Sequence, residues 1–230
     1  MKFALLFFLA CFSIFSEDNI TKLIEGQDSF ELGKQIEYLI DKENRITLEN
    51  ITEPEIQKLF IRNNSNIPEF GYLENSIWLK LTLKDNHPLP EKWFLEFGYP
   101  LLDKIELYSK ENNAWKVKII GDEFPFLDRE IYYRNLIFTL SIPSNEVKTY
   151  YIKIKTSSAV ILPLRIYKEK HFSKLTAYTE AWHFIYYGVL VVMIFYNGFI
   201  SISLRSLTYL LYSFSTLSML AYQVMFNGHG

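Results

Sequence analysis

The sequence predicts a mainly β protein: an extracytoplasmic, jelly-roll-like β-sandwich followed by a two-helix transmembrane hairpin. Three observations predict this fold class. A short apolar leader opens the chain, segments with period-two alternation of apolar and polar side chains follow it, and two long apolar runs stand back to back near the C-terminus. Alternation with period two is typical of half-buried strands, and long uncharged apolar runs are typical of membrane helices.

The first residues have the form of a signal peptide. Lys2 supplies a positive charge, and residues 3–15 form an apolar run that is short for a membrane span. We therefore predict a signal peptide over residues 1–16. Cys11 is the single cysteine, so no internal disulfide is expected. It lies in a loose lipobox-like segment, which leaves a lipidation site open, but the favoured interpretation is one more apolar leader residue.

Eight segments have the composition or alternation of strands. The clearest is residues 151–156, where Ile152 and Ile154 are expected to face inward and the lysines outward. The other seven are residues 35–39, 77–83, 93–97, 104–108, 115–120, 135–140 and 162–166. Turn signals separate them at intervals of about 8–15 residues, which predicts a β-sandwich of the jelly-roll or immunoglobulin-like kind over residues 27–167.

One short helix is expected before the second predicted strand. Residues 53–60 carry Pro54 near the first turn, Thr52 as a candidate N-cap and Glu55 at the capping-box spacing. After the sandwich, residues 168–182 form a charged juxtamembrane linker that is expected to continue as helix into the membrane.

Residues 183–230 are expected to hold two transmembrane helices. The apolar runs are residues 184–204 and 206–226, separated by Arg205 alone, and neither contains a charged side chain. At 1.5 Å per residue each run matches a hydrocarbon core of about 30 Å.

The signal peptide sets the expected topology. It places the sandwich outside the cytoplasm, so Arg205 would lie in a cytoplasmic turn. The lysines of the linker oppose this orientation under the positive-inside rule, but large domains translocate largely regardless of charge. Trp182, Tyr186 and Tyr187 would form the outer aromatic belt.

Composition and motifs exclude several functions. The net charge of −2 and the absence of a basic stripe argue against a nucleic-acid partner. The four histidines, at 87, 171, 183 and 229, show no metal-ligand spacing, and no phosphate-binding or nucleophile motif is present. We therefore predict no cofactor, no metal and no enzymatic activity.

The order of several short segments resembles a known bacterial family. In the sandwich these segments are residues 78–79, 93–96, 99–103, 107–108, 121–122, 125–126, 129, 138 and 150–155; in the membrane region they are residues 187–188, 196–197, 205, 209–212 and 226–228. Over roughly residues 27–230 they resemble the bacterial seven-transmembrane receptors with diverse intracellular signalling modules, with the family's second type of extracellular domain.

The resemblance implies a membrane-bound sensor of the bacterial inner membrane, whose domain is similar to carbohydrate-binding modules. Family members carry seven helices and a cytoplasmic output module. We therefore expect the chain to be a truncated form with the first two helices. Its expected partners are a small-molecule or carbohydrate ligand, membrane lipid, and intramembrane helices or a separately encoded output protein.

Four residues of the sandwich are candidates for ligand binding. Trp78 lies between inward-facing neighbours on an alternating strand, so its side chain should face outward and provide a binding or packing surface. Trp93 and Trp115 are more typical of core or edge packing. Asp122 and Arg129 lie in a polar loop and would bind a polar ligand or fix the loop by ion pairs and backbone bonds. Tyr99, in a segment that resembles the family, completes the set.

Four residues of the apolar runs are candidates for packing or coupling between membrane helices. Asn197 and Gln223 are costly in a bilayer and usually bond to neighbouring helices. Gly188 and Gly198 would allow close helix contact. Two interpretations follow. These residues hold a bundle of membrane helices together, or they form a switch that couples helix packing to the ligand state.

Three functions stay open at this point. The first is a sensor that couples a ligand to helix arrangement by population shift. The second is a non-signalling, membrane-tethered carbohydrate-binding or adhesion module. The third is an envelope hydrolase, which would need two carboxylates about 5–9.5 Å apart on one face.

Overall fold

The computed structural model describes residues 20–89, 91–112 and 114–226. The predicted signal peptide and Cys11 lie outside the described residues, as do residues 227–230. Strands occupy the chain up to Lys168, and two long helices follow. The predicted fold class, mainly β and followed by an apolar helical region, is confirmed.

The strands are β1 Ile20–Leu23, β2 Ser29–Glu31, β3 Glu37–Asp41, β4 Ile61–Arg62, β5 Glu69–Tyr72, β6 Ser76–Asp85, β7 Lys92–Phe97, β8 Lys104–Glu111, β9 Ala114–Ile120, β10 Leu136–Ser141, β11 Val147–Lys155, β12 Ala159–Ile161 and β13 Leu164–Lys168. The helices are α1 Pro54–Gln57, α2 Glu169–Leu204 and α3 Leu207–Phe226. Each of the eight predicted strands overlaps an observed one.

Among the described residues the strands form two packed sheets and a ribbon. The larger sheet has the order β4-β3-β6-β11-β8-β9, and β1 pairs in parallel with the last four residues of β6. The smaller sheet has the order β10-β7-β13-β2, and β5 pairs with β12 in a separate ribbon. The antiparallel register of β6 and β11 places Leu79 opposite Ile152 at the centre of the larger sheet.

The main core lies between the two sheets. Leu79 and Leu81 of β6 are fully buried there, as are Ile152 of β11 and Leu95 of β7. This is the alternation that the sequence predicted, with every second side chain pointing into the sandwich. The outer faces of both sheets are covered as well, by the segment around α1 on the larger sheet and by the start of α2 on the smaller one.

A buried polar cluster ties the end of β6 to the start of β7. The carboxylate of Asp85 is inaccessible to solvent and lies 2.5 Å from the Nδ1 atom of His87. Its second oxygen accepts a hydrogen bond of 3.1 Å from the indole of Trp93. A buried carboxylate is tolerated when such donors satisfy it, so this cluster fixes the connection between the sheets.

The predicted short helix is smaller than expected. α1 contains four residues, and its N-cap position is Glu53, with no side-chain capping bond. The predicted cap, Thr52, does not hold that position, because the helix begins at Pro54, whose fixed φ suits a first helical residue.

The two long helices form an antiparallel hairpin. The hydroxyl of Ser213 in α3 donates to the carbonyl of Ile194 in α2, 3.1 Å away. Arg205 separates the helices with a left-handed backbone (φ 50°) that ends α2. By length and composition, α2 is the one described helix that meets the criteria for a membrane span. α3 has 20 residues and no charged side chain, but serine, threonine and glutamine lower its apolar character.

Candidate functional site

A polar cavity of about 720 Å³ opens where strand ends of the larger sheet meet the β5–β12 ribbon. Its walls contain three carboxylates, two lysines, two hydroxyls and one tyrosine. These side chains are those of Glu74, Asp103, Glu123, Lys104, Lys155, Thr156, Ser157 and Tyr72. The volume falls in the range of about 300–1,000 Å³ that small-molecule sites occupy.

Asp103 is the most firmly held of these groups. Its carboxylate accepts hydrogen bonds from the backbone N–H of Ser157 at 2.7 Å and from the hydroxyl of the same residue at 2.8 Å. Thr156 donates a third, at 3.2 Å. These bonds, led by the one from the Ser157 backbone, hold the pKa of the Asp103 carboxyl below its ordinary value of 3.8. Asp103 is therefore an anion at neutral pH.

Tyr72 gives the cavity an aromatic rim. It ends β5, where its side chain is 81% exposed although it is large and mostly apolar. A flat ring at the edge of a polar cavity suits the C–H face of a sugar or a similar amphipathic molecule, while the carboxylates and hydroxyls provide hydrogen-bond partners for its hydroxyl groups. The cavity can thus hold a small polyhydroxylated ligand.

The loop between β9 and β10, residues 121–135, connects this cavity to the start of α2. At one end the backbone N–H of Glu123 donates to the carbonyl of Asp103, 3.2 Å away. Gly121 lies so close to Asp103 that a Cβ there would be 1.9 Å from its carbonyl oxygen, so only glycine fits. The other end of the loop contacts α2. The loop of residues 121–135 therefore contributes both to the polar cavity and to the contact with α2.

The contact with α2 is an aromatic cluster beside a second cavity of about 640 Å³. Phe172 of α2 is 5% exposed. Its ring lies 5.2 Å from that of Tyr133 in the loop and 5.4 Å from that of Phe94 in β7, both edge to face. Burial raises the pKa of Tyr133, which keeps its hydroxyl neutral. This cluster attaches α2 to the smaller sheet through the loop.

The two predicted loop residues differ in role. Asp122 is exposed, whereas Arg129 donates from Nη1 to the backbone carbonyl of Tyr133 at 3.1 Å. The Arg129 guanidinium also lies 4.9 Å from the ring centre of Phe126. Burial lowers the pKa of Arg129, and the charge of Asp122 opposes that shift. Arg129 thus makes the backbone bonds that we gave as the alternative to ligand binding.

The other two predicted residues lie away from the polar cavity's walls. Trp78 faces outward from the main core as predicted, but it is 1% exposed because the segment around α1 covers it. Its ring stacks on that of Tyr108, with 5.6 Å between centres. Tyr99 is partly buried against the main core. The expectation of an accessible Trp78 is therefore wrong, and the outward side chain serves packing. Trp93, as expected, lies in the core.

The four predicted residues of the membrane helices are also separated. A Cβ at Gly198 would lie 3.8 Å from the Ser213 hydroxyl, so this glycine faces α3, whereas one at Gly188 would meet no atom within 4 Å. Asn197 donates to the carbonyl of Met193 in its own helix, at 2.9 Å. The backbone carbonyl of Gln223 accepts a bond of 3.5 Å from the hydroxyl of Tyr187.

Sequence patterns missed the residues that build the cavity and the helix contact. Tyr72 and Glu74 lie at the end of β5 and in the turn after it, whereas Asp103 directly precedes β8, so only the folded sheets bring Asp103 beside the other two. Phe172 falls in the charged linker and gives no signal by itself. Among residues 20–89, 91–112 and 114–226, no three His, Cys, Asp or Glu side chains are grouped so that they could hold a metal ion.

Comparison with known proteins gives two family matches. The model described as 7TMR-DISM extracellular 2 matches residues 33–168, and the model described as 7TM diverse intracellular signalling matches residues 179–230. No curated protein matches the chain. Among solved structures, the chain is similar to TmCBM61 in complex with β-1,4-galactotriose, with a TM-score of 0.32 and 12% identity over 62% of this chain and 95% of the module.

Proposed function

Because this chain belongs to the family of seven-transmembrane receptors with diverse intracellular signalling modules, we propose that its sandwich binds a small ligand outside the cytoplasm and passes the bound state to the membrane helices. Family membership gives a membrane protein with an extracellular N-terminal domain. The observation that carries the finer proposal is the loop of residues 121–135, which lines the polar cavity at Glu123 and holds α2 at Tyr133.

The mechanism follows from this shared loop. A ligand that hydrogen-bonds to Glu123 and Asp103 favours one arrangement of the loop over others. Because Tyr133 packs on Phe172, that preference extends to the angle at which α2 leaves the sandwich. Ligand binding would thus shift the population of helix arrangements, by no more than the difference in the ligand's affinity for them.

The ligand class that the cavity favours is a neutral carbohydrate. Tyr72 offers a stacking face, and the surrounding carboxylates, hydroxyls and ammonium groups match the donors and acceptors of sugar hydroxyls. An anionic ligand is disfavoured because three carboxylates outnumber the two lysines in the cavity walls. The proposed location is the inner membrane, with Arg205 on the cytoplasmic side. Output would pass through further helices to a cytoplasmic module. That module is either continuous with this polypeptide or separately encoded.

Titration of the full chain in lipid nanodiscs tests the ligand proposal. A panel of neutral mono- and oligosaccharides is measured by isothermal calorimetry, and a responding sugar should lose about tenfold in affinity with Tyr72→Ala. Tyr178→Ala, which removes an exposed tyrosine of α2, should leave the affinity unchanged. Absence of binding across the panel would contradict the carbohydrate class. Cleavage of a bound sugar would favour the hydrolase.

A non-signalling tether is the second candidate function, because the polar cavity lies within the sandwich alone. Hydrogen exchange at α2 distinguishes the sensor from this tether. In a sensor, saturating sugar should change amide exchange in residues 169–182, and replacement of both membrane helices by an unrelated anchor should abolish signalling. Binding without any change at α2 would favour the tether.

A further inference from the structure

We propose that the loop between β9 and β10 rests on the outer surface of the bilayer, with Phe126, Leu127 and Tyr132 in the headgroup layer. The proposal concerns a contact with lipid and goes beyond ligand sensing. It depends on α2 crossing the membrane but on no property of the polar cavity.

The three side chains form one exposed apolar patch. Leu127 is 76% exposed, Tyr132 67% and Phe126 43%. The rings of Phe126 and Tyr132 lie 6.0 Å apart between centres, and the Tyr132 hydroxyl donates to the carbonyl of Leu127 at 3.5 Å. Single exposed apolar residues are ordinary, but a group held together in this way on a loop indicates a surface that contacts another phase or partner.

Its position along α2 identifies the bilayer as that partner. Phe126 and Tyr132 line the same cavity as Phe172 and Glu180 of α2. Glu180 precedes Phe184, the first residue of the apolar run, by four residues, or about 6 Å of helix. The headgroup layer adds about 5–8 Å to each side of the hydrocarbon core. Phe126 and Tyr132 therefore border a cavity that runs along α2 from Phe172 to Glu180 and ends at the helical turn where α2 enters that layer.

The chemistry of the patch agrees with this position. Tyrosine, phenylalanine and leucine are typical of segments that bind at a membrane interface. The loop has four carboxylates and two arginines, so the apolar side chains, and not the net charge, would make the contact. Arg129 stacks on Phe126, and Arg134 lies 5.8 Å from the ring of Tyr133. Trp182, two residues before the apolar run begins at Phe184, is 70% exposed and amphipathic like Tyr132. The patch thus continues the aromatic belt of α2.

Spin labels on the full chain test the contact. In a Cys11→Ser background, a nitroxide is attached at Leu127→Cys or at Tyr132→Cys, and the protein is placed in nanodiscs of phosphatidylethanolamine and phosphatidylglycerol. The rate at which the nitroxide collides with oxygen, which concentrates in lipid, is compared with its rate of collision with a water-soluble nickel complex. Phe195→Cys, 73% exposed near the middle of the apolar run of α2, is the lipid reference. Leu59→Cys, 53% exposed next to the cluster on the opposite face of the sandwich, is the water reference.

The two labels on the patch should show an oxygen-to-nickel ratio severalfold above that of Leu59→Cys and below that of Phe195→Cys, as expected for the headgroup layer. A ratio equal to that of Leu59→Cys would overturn the proposal, because the loop would then lie in water. Shielding from both reagents would overturn it too, since a protein surface, such as a second copy, would then cover the patch. Agreement of the two positions shows that neither substitution alone creates the result.

Discussion

At the scale of single residues, Trp78 shows how an outward side chain becomes part of a core. The segment around α1 contributes Ile51 to a second cluster on the outer face of the larger sheet, where Trp78 stacks on Tyr108. Its indole Nε1 has no hydrogen-bond partner among the described residues. Trp78 therefore contributes packing and brings with it an unsatisfied polar atom.

Two substitutions at Trp78 should separate these contributions. Trp78→Ala should lower the free energy of unfolding of the sandwich by about 3–5 kcal/mol, because it removes a buried aromatic ring. Trp78→Phe should cost much less, because it keeps most of the ring and removes the unsatisfied N–H. Thermal unfolding followed by near-ultraviolet circular dichroism measures both. The matched control is Trp182→Ala, which removes an exposed tryptophan. A large loss of unfolding free energy in this control would show that the assay does not report on packing.

Asp103 should make the stability of the sandwich depend on pH. Its carboxyl has a lowered pKa in the folded state, mainly because the Ser157 backbone donates to it, so the anion contributes stability above the ordinary value of 3.8. That contribution is lost as the pH falls through the lowered pKa. Since water partly screens the group, Asp103→Asn should cost about 1 kcal/mol near neutral pH.

The difference between Asp103→Asn and the unmodified protein should shrink toward zero as the pH falls below about 4 and through the lowered pKa of Asp103. Unfolding midpoints across this range measure it. Glu25→Gln, a substitution of an exposed carboxylate, serves as the control. A difference that stays constant with pH would mean that the amide disturbs the site sterically and that the charge contributes nothing.

At the scale of elements, α2 is held to the sandwich by few contacts. The cluster of Phe94, Tyr133 and Tyr167 surrounds Phe172, and a second anchor is the ion pair between Lys92 and Glu169 at 3.3 Å. The ion pair is about half exposed, so it adds little. Phe172 is therefore the residue on which docking of the helix depends.

Phe172→Ala should release the first turns of α2 while the sandwich stays folded, because the main core is a separate cluster. Loss of a buried phenylalanine corresponds to about 3 kcal/mol of docking energy. Hydrogen exchange by mass spectrometry should show faster exchange in residues 169–180. Leu175→Ala, at a 45% exposed position of the same helix, should leave exchange unchanged. Equal effects of the two substitutions would contradict specific docking by Phe172.

At the scale of the whole molecule, sequence patterns predicted the long strands and the helical region but not the assembled cavity. β6 has ten residues and β11 has nine, which is long enough for the alternation of apolar and polar side chains to be recognised in the sequence. β2 and β12 have three residues each, too few to show a period. The cavity joins residues as far apart as Tyr72 and Ser157, and the pairing of β5 with β12, which places Tyr72 opposite Ala159, brings them together.

The proposed topology places the sandwich and Arg205 on opposite sides of the membrane. In a Cys11→Ser background, Leu89→Cys, at a 72% exposed position of the sandwich, should react with a membrane-impermeant maleimide in intact spheroplasts. Arg205→Cys should react only after the membrane is permeabilised. Labelling of both in intact spheroplasts would contradict an α2 that crosses the membrane, and the reverse pattern would place the sandwich in the cytoplasm.

The unbroken length of α2 has a mechanical consequence. The helix contains 36 residues and no proline, and the sandwich holds it only near one end. From Phe172 to Leu204 it extends about 48 Å at 1.5 Å per residue, so it works as a lever arm with its fulcrum at the aromatic cluster. A tilt of about 5° at the fulcrum would displace the far end by about 4 Å, which exceeds the helix shifts of about 1–2 Å seen in allosteric proteins. A sub-ångström adjustment in the loop is thus amplified, by leverage alone, into a displacement at the far side of the membrane.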